Sequence, residues 1–196
     1  VRDWLVELPM AGFLFPAFQD RSTDLHSMLY YSKNAEELKD DFVEGMFGCG
    51  TPLTAADQKD TFNAMIEETL GEECDYEAVR NIHENLNEML EEAKETPEPL
   101  ELSRPDVRRL LERSGAPEEK LASFDREFEE TVGEKNTLLA SNIASVRSFQ
   151  VETPDVIVKV NPERSDLVEI REIDGRRCLV IAVDDHLEVN GIEVRK

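Results

Sequence analysis

The chain has 196 residues, 22 Lys/Arg against 44 Asp/Glu, a formal net charge of −22 at neutral pH, and three cysteines. That length buries a hydrophobic core without disulfide or metal staples, so stability demands no cofactor and none is expected. Cys49, Cys74 and Cys178 stand at long, unpatterned spacings, which excludes a disulfide framework and favours a reducing cytoplasm; the apolar runs fall far short of the ~20 residues a membrane span needs, so no membrane partner is expected.

Trp4 to Leu8, Gly12 to Phe18 and Leu25 to Lys33 are rich in aromatic and aliphatic residues and read as strands, broken at Pro9-Met10-Ala11 and Gln19-Asp20-Arg21-Ser22. A chain that enters a strand-like run this close to Val1 is expected to be a piece of something longer. Asn34 with Glu37 has the spacing of a capping box, and Leu38, Phe42 and Met46 then recur at helical intervals until Gly48.

Thr54 with Asp57 predicts a second cap, followed by the apolar face Phe62, Met65, Ile66 and Leu70 and a stop at Gly71. After Asp75, Tyr76, Val79, Ile82, Leu86, Met89, Leu90 and Ala93 step by three and four while glutamates fill the opposite face, the strongest helical pattern in the chain. Thr96-Pro97-Glu98-Pro99 ends it, because proline breaks the hydrogen-bond ladder and restricts the residue before it. A boundary is expected there, giving lobes 1–96 and 100–196, with one domain over 1–196 as the alternative. Ser103, Pro105 and Asp106 open a further helix bearing Val107, Leu110 and Leu111; Pro117 opens the next, with Leu121, Phe124, Phe128 and Val132 on one face and Gly133 after it. Leu139, Ile143 and Val146 suggest one more. Acidity is concentrated in this middle: residues 34–134 hold 29 Asp/Glu against 10 Lys/Arg. Such a surface repels phosphate backbones, so nucleic acid is excluded as its partner.

From Ser148 the period changes to two. Val156, Val158 and Val160 share a face, Val168 and Ile170 begin another strand, and Arg177 to Val183 is apolar enough to be covered on both sides. Asp174-Gly175 and Asn190-Gly191 have the composition of two-residue hairpin turns, whose central positions need positive φ. The fold class that follows is α+β, with an antiparallel sheet from both chain ends packed against an acidic, helical middle.

Two segments carry a family resemblance: Asp155-Val156-Ile157-Val158-Lys159-Val160-Asn161-Pro162-Glu163-Arg164-Ser165-Asp166, and Asp184-Asp185-His186-Leu187-Glu188-Val189-Asn190-Gly191. With Phe13-Leu14-Phe15-Pro16-Ala17-Phe18, Asp20-Arg21-Ser22-Thr23-Asp24 and Tyr30-Tyr31-Ser32-Lys33-Asn34, the chain resembles the bacterial domain-of-unknown-function family 4317 along its whole length. The resemblance implies a bacterial, cytoplasmic protein of which this chain is the C-terminal portion, its N-terminal half lying elsewhere. It supplies no activity, cofactor or catalytic residue.

The residues themselves offer few constellations. Asp184, Asp185 and His186 sit at a strand end and are the candidate metal ligands, if the loop bends both carboxylates inward; an Asp-rich turn bonded to its own backbone is the plainer reading. Asp20-Arg21-Ser22-Thr23-Asp24-Leu25-His26-Ser27 collects acid, hydroxyl and imidazole, but Ser22 lacks a Gly-flanked elbow, and a polar turn suffices. Cys74, Glu77, His83 and Glu84 match no zinc spacing, and His83 reads as a histidine at the edge of a helix's apolar face. Cys49 stands in Gly48-Cys49-Gly50-Thr51, which has neither the lysine nor the glycine spacing of a phosphate loop. Arg104, Arg108, Arg109 and Arg113 are expected to pair with neighbouring acids. The functional expectation is therefore a non-enzymatic binding or assembly module, its partner another protein or its own N-terminal half. The alternative is a metal-assisted hydrolase or nuclease-like enzyme using Asp184, Asp185 and His186, with His26.

Overall fold

A computed structural model describes residues 9–19, 22–26, 28–134, 136–144, 148–184 and 186–194. The expected strand Trp4 to Leu8 and the helical position Val146 lie outside the described residues. The protein is α+β, and its strands do come from both ends of the chain, distributed among the described residues over six two-stranded antiparallel ladders. It divides into two compact units, Val1–Gln58 and Lys59–Lys196, with the division falling inside a helix.

In the first unit β1 (Ala11–Leu14) pairs with β4 (Leu29–Ser32), and β2 (Ala17–Gln19) with β3 (Ser22–Asp24). The strand expected over Gly12 to Phe18 is thus split, with Phe15-Pro16 separating β1 from β2, since proline offers no donor to a ladder; the one expected over Leu25 to Lys33 is shortened to β4. Phe13 and Tyr30 face each other across β1 and β4 and pack on helix α1 (Asp40–Phe47), whose Phe42 and Phe47 lie 6.5 and 5.1 Å from the Phe13 ring centroid. The opposite face of that hairpin carries Leu14, Leu29 and Tyr31, all exposed. Helix α1 starts at Asp40 rather than after Asn34, because the Asn34 side chain accepts from the Glu36 N–H at 3.2 Å and holds a local turn instead of a helix end. Gly48 closes α1 in the left-handed conformation, as its position predicts.

Helix α2 (Ala55–Leu70) opens on the expected reciprocal cap: the Thr54 hydroxyl accepts from the Asp57 N–H at 3.1 Å and donates to the Asp57 carboxylate at 2.6 Å. Helix α3 (Tyr76–Ala93) follows, with the Asp75 carboxylate accepting from the Ala78 N–H at 2.8 Å. Helices α4 (Arg104–Arg113) and α5 (Glu118–Thr131) form a hairpin of helices. Phe62 and Met65 of α2, Leu86 of α3, Leu111 of α4, and Phe124 and Phe128 of α5 are fully buried. Burying each such side chain stabilises by about 1.5–3 kcal/mol, which is why the apolar stripes rather than the glutamates set the helix orientations.

Short strands β5 (Glu101–Leu102) and β6 (Leu138–Leu139) pair and lead into α6 (Ala140–Ile143), a single turn. The longer helix suggested by Leu139 and Ile143 does not form over the described residues: Leu139 is held in the ladder, and the Asn136 amide is spent on the Val132 carbonyl at 2.7 Å. Strands β7 (Phe149–Glu152) and β8 (Ile157–Val160) place Phe149, Val151, Val158 and Val160 on one half-buried face. A 3₁₀ turn (Pro162–Leu167) leads into β9 (Val168–Ile173), which pairs with β10 (Arg176–Ile181). Asp174 and Gly175 have φ of 51° and 72°, and Asn190 and Gly191 have 50° and 79°, the left-handed values both hairpin turns require. Residues Arg177 to Val183 are not covered on both sides: Ile181 and Val183 are exposed. The last hairpin, β11 (Leu187–Val189) with β12 (Ile192–Val194), sets Leu187 opposite Val194 and Val189 opposite Ile192 on one face, and Glu188 opposite Glu193 on the other.

Candidate functional site

Helix α3 and strand β7 of the β7–β8 hairpin border a half-open cavity of about 1110 Å³ in the second unit. Tyr76, Val79, His83 and Asn87 recur at helical spacing and so line it from one face of α3. Phe149, on the inward face of β7, meets two of them edge-on: its ring centroid lies 6.2 Å from Tyr76 and 6.0 Å from His83. Ile170 of β9, Arg177 of β10, Ile143 of α6, and Lys59 and Asn63 of α2 also line it.

The anchor of this arrangement is Tyr76, whose hydroxyl donates to the Val168 carbonyl at 3.0 Å. Burial and the nearby Glu77 and Glu84 push the phenol upward from its ordinary range, against an opposing pull from Arg80. His83 is half-buried against Phe149; burial and the positive charge of Lys59 hold its imidazole below the ordinary value, so it is neutral at neutral pH. Cys74, also on the wall, has its thiol raised by burial, Glu67 and Asp75, which makes it a poor nucleophile. Asn87 Oδ1 is buried with no hydrogen-bond partner among the described residues. Among the described residues, Glu72, Asp75, Glu77 and Glu152 give the lining four carboxylates against the two cations Lys59 and Arg177.

The candidates nominated by sequence lie elsewhere. Asp184 accepts from Arg164 Nη2 at 2.6 Å, and Arg164 Nε reaches Asp166 at 3.3 Å, so the 3₁₀ turn and the loop after β10 are tied by charge. Asp185 lies outside the described residues. His186 Nε2 is 3.8 Å from Glu188. Among the described residues no group of three or more His, Cys, Asp or Glu is gathered as a metal site. His26 is exposed in the first unit, and Asp20, Arg21 and Ser27 lie outside the described residues. Cys49 is exposed. Three of the four arginines expected to meet acids do so: Arg108 Nε meets Glu112 at 2.9 Å and Arg108 also reaches Asp125 of α5, Arg104 pairs with Glu129, and Arg109 lies 3.8 Å from Asp106, whereas Arg113 donates to the Asn85 amide oxygen at 2.8 Å.

Sequence reading placed His83 at a helix edge but missed the cavity itself. The helical stripe after Asp75 marks Tyr76 and Val79 as one face of α3, but Phe149 is distant in sequence and no motif brings it there.

Fold and cavity define an α+β protein in which short antiparallel hairpins precede and follow an acidic helical middle along the chain. Among its described helices none is long and apolar enough to cross a membrane. The chain belongs to the DUF4317 family, a domain of unknown function, whose family model matches residues 1–192. No curated protein and no solved structure matches it.

Proposed function

We propose that this chain is a non-enzymatic binding or assembly module of a bacterial cytoplasmic protein, and that it docks a basic protein partner. The observation that carries the reading is the open face of the β11–β12 hairpin, where Leu187, Val189, Ile192 and Val194 stand together on one side and are 44, 53, 71 and 37 % exposed. Contiguous apolar surface of this kind marks interaction sites. The β1–β4 hairpin supports it with a second such face, Leu14, Leu29 and Tyr31. Charge selects the partner: two copies of a chain at −22 repel each other, whereas a basic surface is attracted and steered.

The test is affinity capture by the full chain, compared with a Leu187→Lys/Ile192→Lys variant, together with sedimentation of the purified protein. A stoichiometric protein that binds the native chain, is lost with the variant and weakens at high salt is the expected result. Capture that is identical for both chains, or a tight dimer of the chain alone, refutes the reading.

A further inference from the structure

We infer that the cavity between α3 and β7–β8 receives an arginine or lysine side chain of a basic peptide segment. This rests on the reading of the chain as a module for a basic partner, but it uses a different surface from the apolar hairpins.

Three observations converge on a cation. The cavity is large enough, at about 1110 Å³, for a long side chain and its neighbours. Its wall carries aromatic rings: Phe149 makes T-shaped contacts with Tyr76 at 6.2 Å and His83 at 6.0 Å, and aromatic rings attract a cation brought over a face. Among the described residues its lining holds four carboxylates against two cations: Glu72 and Glu152 are exposed, Glu152 accepting from Gln150 Nε2 at 2.9 Å, while Asp75 caps α3 and Glu77 pairs with Arg80 at 2.7 Å. The last two are held in place by those contacts. The surrounding field has the same sign, since the chain carries −22 overall.

A guanidinium has five N–H donors and a planar face that stacks on aromatic rings, so it can answer both the carboxylates and the aromatic side chains of the lining. Among the described lining residues, an anionic ligand would instead have to draw on Lys59 and Arg177 against the more numerous acids.

Lys59 makes the sign of the ligand testable. It lines the same cavity, so its charge opposes a cation and assists an anion. The probe is a fluorescein-labelled peptide of alternating alanine and arginine, followed by fluorescence polarisation with the full chain, beside the same peptide with citrulline in place of arginine. Saturable binding is expected for the arginine peptide, with Lys59→Glu strengthening it about two- to fourfold and Glu152→Gln weakening it about twofold. Phe149→Leu is expected to weaken it by about two- to fivefold, the loss of a cation–π contact. The substitutions at Lys59 and Glu152 lie on exposed side chains, so they keep the test decisive if Phe149→Leu perturbs folding. No saturable binding, equal affinity for the citrulline peptide, or weakening by Lys59→Glu overturns the proposal. So does an equal loss from Glu91→Gln/Glu92→Gln, outside the cavity on α3, which would show attraction to overall charge alone. The capture result with Leu187→Lys/Ile192→Lys is independent: if it stands while the peptide fails, the module reading survives and the cavity assignment does not.

Discussion

Replacing Tyr76 by phenylalanine removes one oxygen atom and tests how the cavity is held open. The register pairs Val168 with Ile181, and the Ala182 N–H donates to the Leu167 carbonyl at 2.8 Å, so Val168 occupies a non-hydrogen-bonded position and its carbonyl points away from β10. The Tyr76 hydroxyl is therefore what satisfies it, at 3.0 Å, and Val168 itself is fully buried. Leaving a buried carbonyl unsatisfied costs about 1–3 kcal/mol; because the hydroxyl is only partly shielded from water, about 1–2 kcal/mol is the expected loss. For a chain of this size that lowers Tm by roughly 2–8 °C. Calorimetry of native and Tyr76→Phe chains measures it, and amide exchange of β9 should accelerate with it. The edge-on ring contact with Phe149 survives the substitution, so the change isolates the hydroxyl. The native protein should also lose stability above pH 10: a phenol raised in the folded state favours folding below its unfolded value of 10.0 and loses that contribution as pH climbs through the folded one. The variant lacks this alkaline loss. A Tm shift below about 1 °C with unchanged exchange in β9 would refute the assignment of this hydrogen bond.

Other perturbations read other parts of the molecule. His83→Gln should flatten the acid limb of stability: with its folded value depressed below 6.5, the histidine's contribution is complete above that pH and is lost as pH falls beneath it, so the difference between native and variant shrinks in chemical denaturation below about pH 6.5. Iodoacetamide at pH 8 should modify exposed Cys49 well before Cys74, whose thiol is held above its ordinary 9.0 by burial, Glu67 and Asp75; peptide mapping that finds Cys74 reacting first would contradict the buried wall. Phe124→Ala should cost about 3–5 kcal/mol in urea denaturation, a large part of the ~5–15 kcal/mol expected for a domain, because the ring is fully buried and packs at a tilt with its centroid 5.9 Å from that of Phe128.

What the sequence made legible was local. Asp174-Gly175 and Asn190-Gly191 announced their turns because positive φ at both central positions restricts the residues that fit, and no distant contact is needed to decide it. Thr54 with Asp57 and Asp75 before α3 were readable for the same reason: a cap satisfies orphan N–H groups within three residues. Asn34 misled because the same side-chain oxygen that caps a helix also holds a turn, and nothing local separates the two. The cavity was illegible because it is made by long-range pairing. Tyr76 finds Val168 92 positions away, and Arg164 finds Asp184 20 positions away; neither bond has a spacing rule. The loop candidates Asp184 and His186 were singled out for adjacency in sequence, whereas the structure ties Asp184 to the preceding 3₁₀ turn.

The contrast between two hairpins of similar composition sharpens the functional reading. In β7–β8 the apolar face of Phe149, Val151, Val158 and Val160 is half-buried, and Phe149 has its partners on α3. In β11–β12 an equally apolar face of Leu187, Val189, Ile192 and Val194 is exposed, with its acidic face formed by Glu188 and Glu193. A lone two-stranded ladder is at best marginally stable in water, and its stability comes from whatever covers its apolar side. A helix does that for β7–β8. For β11–β12 the missing apolar contact is the free energy a partner would supply, at about 25 cal/mol per Å² covered, and the glutamates on the reverse face favour a partner whose rim is basic. Docking should therefore order this hairpin and protect its amides from exchange, while salt should slow association more than it speeds release.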